Sequence, residues 1–365
     1  MNWKLCIGIL AGALLIAGVS LAQGDKSSSG AVLANPFVDI SGQWFLAYQV
    51  SDLKTKTTNT FTLKRGYLTF KKEFNKTFSV RFTQDITLDR EGSDAGNIEM
   101  RLKYLYLKVN MQWIPWLSNS WIEAGMVHRP WLDFEEHVND FRVQGPMFAE
   151  ANELINSADF GFNLVTLLGG KLSKEQSEKV GNFYPGRYGS FSIGLFNGGG
   201  YHAIEQNTNK TLESRLTIRP LPDLITGLQA SYHLVAGTGY SEKNPGFLLN
   251  HLALTHESPH VIFVGQWLFG KGNAFGTFFQ PDGEPASFRG LSAFGEVFVF
   301  RRIVSVFGEY SYFNKLEPAT GYTRKMMAGV SARFLNDQKI LFDTEYFTTQ
   351  SDKRLVYELA LEIRF

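Results

Sequence analysis

A transmembrane antiparallel β-barrel is the fold this sequence predicts, and three observations predict it. Apolar and polar residues alternate with period two along many segments, as strands require when their two faces meet different surroundings. Beyond residue 22 no run of about 18 apolar residues occurs, which excludes membrane-spanning helices. The chain nevertheless holds 31 Phe, 14 Tyr and 7 Trp at a mean hydropathy of only −0.13. A barrel reconciles these facts, because strands showing lipid one face and water the other average to neutral hydropathy.

The first residues read as a leader. Lys4 gives a short basic start, Leu5 to Leu21 is apolar, and Ser20-Leu21-Ala22 supplies the small residues of a cut after Ala22. Residues 1–22 are therefore expected to be a cleaved secretory signal, 23–38 a short N-terminal segment and 39–365 the barrel. Cys6, the only cysteine, falls in the leader, so an exported chain without disulfides must be held by packing and hydrogen bonds. With 36 basic and 35 acidic residues, the net charge of +1 gives no bulk attraction to nucleic acid.

Sixteen segments are strand candidates: 39–50, 60–72, 77–89, 97–110, 119–129, 157–168, 188–197, 211–220, 224–236, 247–256, 260–269, 288–300, 303–314, 322–334, 338–349 and 353–365. Most reach the roughly 9–11 residues a tilted strand needs to cross a bilayer. The last is the cleanest. Leu355, Tyr357, Leu359, Leu361, Ile363 and Phe365 share one face, with Arg354, Glu358, Glu362 and Arg364 on the other. An early strand sets Phe78, Val80, Phe82, Ile86 and Leu88 against Ser79, Arg81, Thr83, Asp85, Thr87 and Asp89. Another sets Ile98, Met100, Leu102, Tyr104 and Tyr106, as the lipid face, against Glu99, Arg101 and Lys103. A slip of one residue would turn every charge toward lipid, which fixes the register.

The connections agree with an even-stranded barrel whose termini are periplasmic. Short turns fall at 74–77, Pro220-Leu221-Pro222-Asp223, Ser258-Pro259, Arg301-Arg302 and Asn336-Asp337, whereas 130–156, 198–210, 237–246 and 270–287 are long. Residues 111–118 fit a Trp-rich periplasmic turn. Residues 169–187 are long and polar where parity asks for a short turn, which leaves fourteen or eighteen strands open. Trp44, Tyr48, Trp113, Trp116, Tyr310 and Tyr312 lie near strand ends, as interfacial girdles do. A soluble β-sandwich also alternates, but this many long strands exceed an ordinary one. The closing Glu362-Ile363-Arg364-Phe365 matches the terminal Phe with which outer-membrane barrels end.

Three local runs carry a family resemblance: Arg65-Gly66-Tyr67-Leu68-Thr69-Phe70-Lys71, Gly125-Met126-Val127-His128-Arg129-Pro130, and Gly194-Leu195-Phe196-Asn197-Gly198-Gly199-Gly200 followed by Arg215 and Arg219-Pro220. In them the chain resembles the phosphate-selective porins of the O and P type along nearly its whole length. The resemblance implies a sixteen-stranded channel that assembles as a trimer. The family's arginine ladder and lysine cluster do not map onto this sequence residue by residue. Its third loop instead carries Asp133, Glu135, Glu136 and Asp140, so the resemblance is carried to fold and transport class and not to phosphate selectivity.

Residues 130–156 form the third expected surface loop. Phe134, Val138 and Phe141, then Phe148, Ala151 and Ile155, have helix-like spacing. A long loop with apolar residues is not expected to sit in solvent. We expect it to fold into the lumen, setting Asp133, Glu135, Glu136 and Asp140 against Arg65, Arg81, Arg101 and Lys103 on the wall. Opposed charge rows select permeants by charge and size. The alternative is an outward lid bearing a solvated run of acids.

His256-Glu257-Ser258-Pro259-His260 matches the zinc-protease motif H-E-x-x-H, but Pro259 opposes the helix that would bring both imidazoles to one metal, and a tight turn is expected instead. His128, His137, His202, His233 and His251 are scattered. There is no G-x-S-x-G elbow or phosphate loop, and Gly270-Lys271-Gly272 lacks a following helix. The sequence thus points to a pore for small hydrophilic solutes or ions, in contact with outer-membrane lipid, with no cofactor, metal, nucleic acid or catalytic residue. Two rivals stand beside it: an outer-membrane barrel enzyme of lipase or protease type, and a closed structural or adhesive barrel.

Overall fold

The computed structural model describes residues 37–365 apart from 54–55, 90–92, 94, 182, 202, 205–206, 240–244, 317–320 and 336–337. The expected leader, His202 and the Asn336-Asp337 turn therefore lie outside the described residues. The strands are β1 (Asp39–Leu53), β2 (Lys56–Glu73), β3 (Phe78–Leu88), β4 (Ile98–Asn110), β5 (Ser120–His128), β6 (Ala158–Leu168), β7 (Gly189–Phe196) and β8 (Thr211–Ile218). They continue as β9 (Leu228–Thr238), β10 (Gly246–Glu257), β11 (Val261–Lys271), β12 (Ser287–Phe300), β13 (Val304–Lys315), β14 (Gly321–Phe334), β15 (Gln338–Thr349) and β16 (Lys353–Arg364). Every strand pairs antiparallel with its neighbours in sequence, and β1 pairs with β16 from Gln43↔Arg364 to Leu53↔Arg354, which closes the barrel. Sixteen strands is the count the alternation predicts. Closure leaves no sheet edge, as a bilayer demands.

The two faces are chemically distinct. On β16, Tyr357 and Leu359 are 42% and 46% exposed on the outer wall, whereas Glu358, Ala360 and Glu362 are buried inside. Trp44, Tyr48, Tyr310 and Tyr312 alternate out of phase with buried lumenal neighbours, and Trp113 and Trp116 stand exposed in the turn that holds a short 3₁₀ segment, Pro115–Leu117.

Among the described residues three β-bulges interrupt the ladders; the one at Phe298/Phe300 lies at a strand end, and the other two alter the simple alternation. Between β1 and β2 the register passes from Phe45↔Arg65 to Leu46↔Leu63, so Lys64 is an extra residue, and its ammonium meets lumenal Glu358 at 2.6 Å. Between β3 and β4 it passes from Thr83↔Tyr104 to Gln84↔Leu102, which leaves Lys103 as the extra residue. The second bulge corrects the face assignment of β4. Tyr104 and Tyr106 are buried in the lumen, and Leu105 and Leu107 take the outer positions. A bulge inserts one residue and so reverses the parity of everything after it.

Among the described residues, the 169–187 connection contains no further strand of the barrel. An isolated bridge, Lys171↔Gly186, closes it, and it carries helix Lys174–Val180. Ser173 caps that helix reciprocally with Gln176, each side chain at 3.2 Å from the other's backbone N–H.

Candidate functional site

The long β5–β6 connection turns into the barrel. Arg129 precedes a proline and is held extended, and Pro130 opens helix α1 (Pro130–Val138) at a position where its missing N–H costs nothing. A single helical turn, α2 (Phe148–Ala151), follows, so the helix Lys174–Val180 is α3. Helical spacing splits α1 into two faces. Trp131, Phe134, Glu135 and Val138 are buried on one; Asp133, Glu136 and His137 lie on the other, continued by Asp140.

The apolar face fixes the loop to one half of the barrel. Phe141 packs against Phe294 and Phe307 at ring-centre distances of 5.3 and 4.4 Å, and Trp131 meets His251 at 4.3 Å. Val235, Leu249, Val264, Leu268 and Phe288 belong to the same buried cluster. The loop covers the apolar lumenal residues of β9 to β13, which alternate there with polar ones such as His233, His251 and Gln266, and leaves open space beside β1–β4 and the closing end of β16.

That space is lined by charge. A cavity of about 530 Å³ is lined by Tyr67, Lys71, Arg81, Lys103 and His128 on the wall and by Asp133, Glu136, His137, Asp140 and Arg142 on the loop. It adjoins a second cavity of about 610 Å³ toward the turn end, with which it shares His137, Asp140 and Arg364. Arg301 and Arg302 reach the second cavity from a two-residue turn in which both adopt left-handed backbone, φ 44° and 59°. Hairpins of this kind usually place Asn or Gly there.

Two of the wall cations, Lys103 and Arg81, are held by neighbouring side chains. Lys103 donates to the Tyr67 hydroxyl at 3.2 Å and lies 4.4 Å from the centre of the Tyr67 ring. Arg81 donates to Thr83 Oγ1 and to His128 Nε2, both at 3.0 Å, with its guanidinium 4.6 Å from the Tyr104 ring centre. A guanidinium can only donate, so His128 accepts at Nε2 and its ring proton sits on Nδ1, directed at Glu123 at 2.9 Å. Opposite, Asp133 accepts from the Tyr184 hydroxyl. Glu136 pairs with Arg142 at 3.3 Å. Burial would push the Asp140 carboxyl up, yet Lys339 at 3.0 Å and Arg333 at 3.2 Å hold it at about 2.

Of the residues singled out from sequence, Arg81, Lys103, Asp133, Glu136 and Asp140 come together around this first cavity. Arg65 stands nearer the loop end, bound to Asp85 at 3.0 Å, and Arg101 pairs there with Glu99. Glu135 is turned away: its carboxylate accepts from Trp131 Nε1 at 2.7 Å and Gln266 Nε2 at 2.6 Å. Burial raises it to about 8 against those two hydrogen bonds.

A stability consequence follows with a definite sign. Between the ordinary 4.5 and about 8 the folded protein keeps a proton on Glu135 that the unfolded chain releases. Its contribution is thus full below pH 4.5 and is lost as pH rises through about 8. We expect Glu135→Gln to raise the denaturant midpoint in detergent at pH 9 and to leave it nearly unchanged at pH 4. A variant with the same pH slope as the parent between those limits would disprove the assignment.

Sequence reasoning missed five contributors. His128 and His137 looked scattered but face each other across the Asp133 carboxylate, 3.6 and 3.8 Å away. Phe183 and Tyr184 come from the 169–187 connection, which re-enters the lumen. Phe183 stacks on His137 at an interplanar angle of 24°, and Tyr184 packs on Phe134 at 5.7 Å. Tyr201, from the β7–β8 connection, also folds inward and donates to Asp85 at 2.8 Å. Among the described residues no group of three or more His, Cys, Asp or Glu side chains could hold a metal, and His256 and His260 flank a turn between strands.

No family model and no curated protein matches the sequence. Solved structures do match the fold. The anion-selective porin from Comamonas acidovorans superposes with a TM-score of 0.59 at 10% identity, covering 90% of this chain and 99% of that one. A Salmonella typhi OmpF complex with daunomycin gives 0.59 at 12%, covering 89% and 97%. The in-vitro folded trimer form of OmpT, an outer membrane protein of Vibrio cholerae, gives 0.57 at 10%, covering 90% and 99%. The architecture is that of the outer-membrane porins.

Proposed function

We propose that this chain is a passive outer-membrane porin, exported with a leader cut after Ala22, whose barrel from residue 39 onward admits small hydrophilic solutes or ions. The observation that carries this reading is the juxtaposition across one passage of Asp133, Glu136 and Asp140 with Lys71, Arg81 and Lys103. Opposed rows of fixed charge set a transverse field and replace part of a solute's hydration. The motifs shared with the phosphate-selective O and P porins support kinship with that group, while the acids on α1 argue against carrying its selectivity over. A homotrimer is supported by the trimer form of the Vibrio cholerae protein. An outward apolar groove of about 470 Å³ at the closing seam, lined by Leu46, Tyr48, Phe61, Leu63, Leu359 and Leu361, supports it too.

Reversal potentials in KCl gradients across planar bilayers test the proposal. Glu136→Gln removes an acid from the passage and is expected to shift selectivity toward anions. Glu135→Gln, buried against Trp131 and Gln266, is expected to leave selectivity where it was. Absence of single-channel steps from the pure refolded protein, or an unmoved reversal potential in Glu136→Gln, would retire the reading. Hydrolysis of lipid or peptide by proteoliposomes that do not swell would favour a barrel enzyme instead.

A further inference from the structure

A third cavity, about 370 Å³, opens at the turn end beside β4, β5 and the 169–187 connection. The pairings Lys108↔Glu123 and Asn110↔Trp121 put Lys108 and Trp121 on the lumenal face. Gln112 and Asn119 enter from the Trp-rich turn, and Lys171 and Phe183 from the opposite connection. The Lys108 ammonium lies 4.3 Å from the centre of the Trp121 ring. Phe183 is 56% exposed and also lines the charged passage.

What distinguishes the cavity is its unused chemistry. Among the described residues, the side chains of Lys108, Gln112, Asn119 and Lys171 make neither a hydrogen bond nor an ion pair. No carboxylate lines the space, and the nearest acid across the strands, Glu123, is engaged by His128 at 2.9 Å. Two ammonium groups, two primary amides and aromatic surface thus converge on a cavity whose own lining holds no acid. The volume falls within the roughly 300–1,000 Å³ of small-molecule sites. Primary amides both donate to and accept from hydroxyls, ammonium groups take a carboxylate, and an aromatic ring covers C–H faces. We infer that this cavity binds a hydroxylated carboxylic acid of the sugar-acid class, beside the passage and on the side where Phe183 divides the two spaces. Binding here does not require conduction, so it can fail or hold independently of the porin reading.

The test is calorimetric titration of the full chain in detergent with D-glucuronate, D-glucose and inorganic phosphate. D-Glucuronate is expected to bind, with glucose and phosphate each weaker by about tenfold or more. Glucose lacks the charge, and phosphate lacks the C–H face. The double variant Lys108→Gln/Lys171→Gln is expected to lose affinity for glucuronate by about tenfold or more, and Phe183→Ala to weaken it without touching either lysine. Among the described residues Lys108 and Lys171 hold no hydrogen bond or ion pair, and Phe183 contributes only ring contacts such as that with His137, so each variant should keep the parent's circular dichroism. Phosphate binding as well as glucuronate would reduce the site to bare charge and overturn the inference, as would undiminished binding by the double variant or no binding of glucuronate at all.

Discussion

Replacing Arg129 with alanine is expected to lower the unfolding free energy by ~3–5 kcal/mol. Its side chain is fully buried and its guanidinium serves two carboxylates, Glu213 through Nε and Asp159 at 3.3 Å, over the ring of Phe196 at 4.6 Å. Glu213 in turn takes His233 Nε2 at 2.9 Å and the backbone N–H of Trp131 at 3.3 Å. The cluster therefore joins the wall strands β6, β8 and β9 to the first turn of α1. Removing the cation leaves two acids in a dry interior, and that uncompensated burial, rather than loss of the attraction itself, supplies most of the cost. Arg129→Lys keeps the charge but loses the forked geometry and should fall between parent and alanine variant. Guanidinium unfolding in detergent measures the series. A midpoint for Arg129→Ala indistinguishable from the parent would mean that the carboxylates find water, contrary to their burial.

The same cluster shows where the sequence stops being readable. Strand positions and the closed sheet follow from period two, because every residue of β16 meets either lipid or lumen and its chemistry declares which. The amphipathic spacing of α1 is legible for the same reason: Asp133, Glu136, His137 and Asp140 recur at helical intervals. Glu135 is inseparable from Glu136 by composition, yet it stands about 100° further round the helix and points at Gln266. The bulge at Lys103 is also silent, since Tyr104 and Tyr106 suit a lipid girdle as well as a lumenal contact. Long-range partners are the least accessible. Arg129 and Glu213 are 84 residues apart, and Tyr184 and Asp133 are 51. No local pattern marks the 169–187 connection as returning to the lumen, because its polar capped helix reads as an ordinary exposed turn.

Trp131→Ala should cost ~3–5 kcal/mol of stability and, unlike the arginine change, act chiefly on the loop rather than the wall. Trp131 is fully buried, stacked 6.0 Å from His233 and edge-on to His251 at 4.3 Å, with Phe134 at 5.7 Å. Its indole N–H is also the donor that Glu135 accepts at 2.7 Å. Truncation therefore opens a cavity at the root of α1 and leaves a buried carboxyl with one fewer donor, and the two penalties add in the same place. The wall strands keep their ladder, so the barrel should persist while the loop loses the contact that holds it over β9 to β11. If the loop is what confines the passage, single-channel conductance should rise and become noisier in Trp131→Ala, and hydrogen exchange should quicken at residues 130–156 but not along β16. Faster exchange with unchanged conductance would separate the two roles. The loop would then be a packing element of the barrel, and the narrowing would have to come from Phe183 and Tyr184 of the 169–187 connection that packs against it.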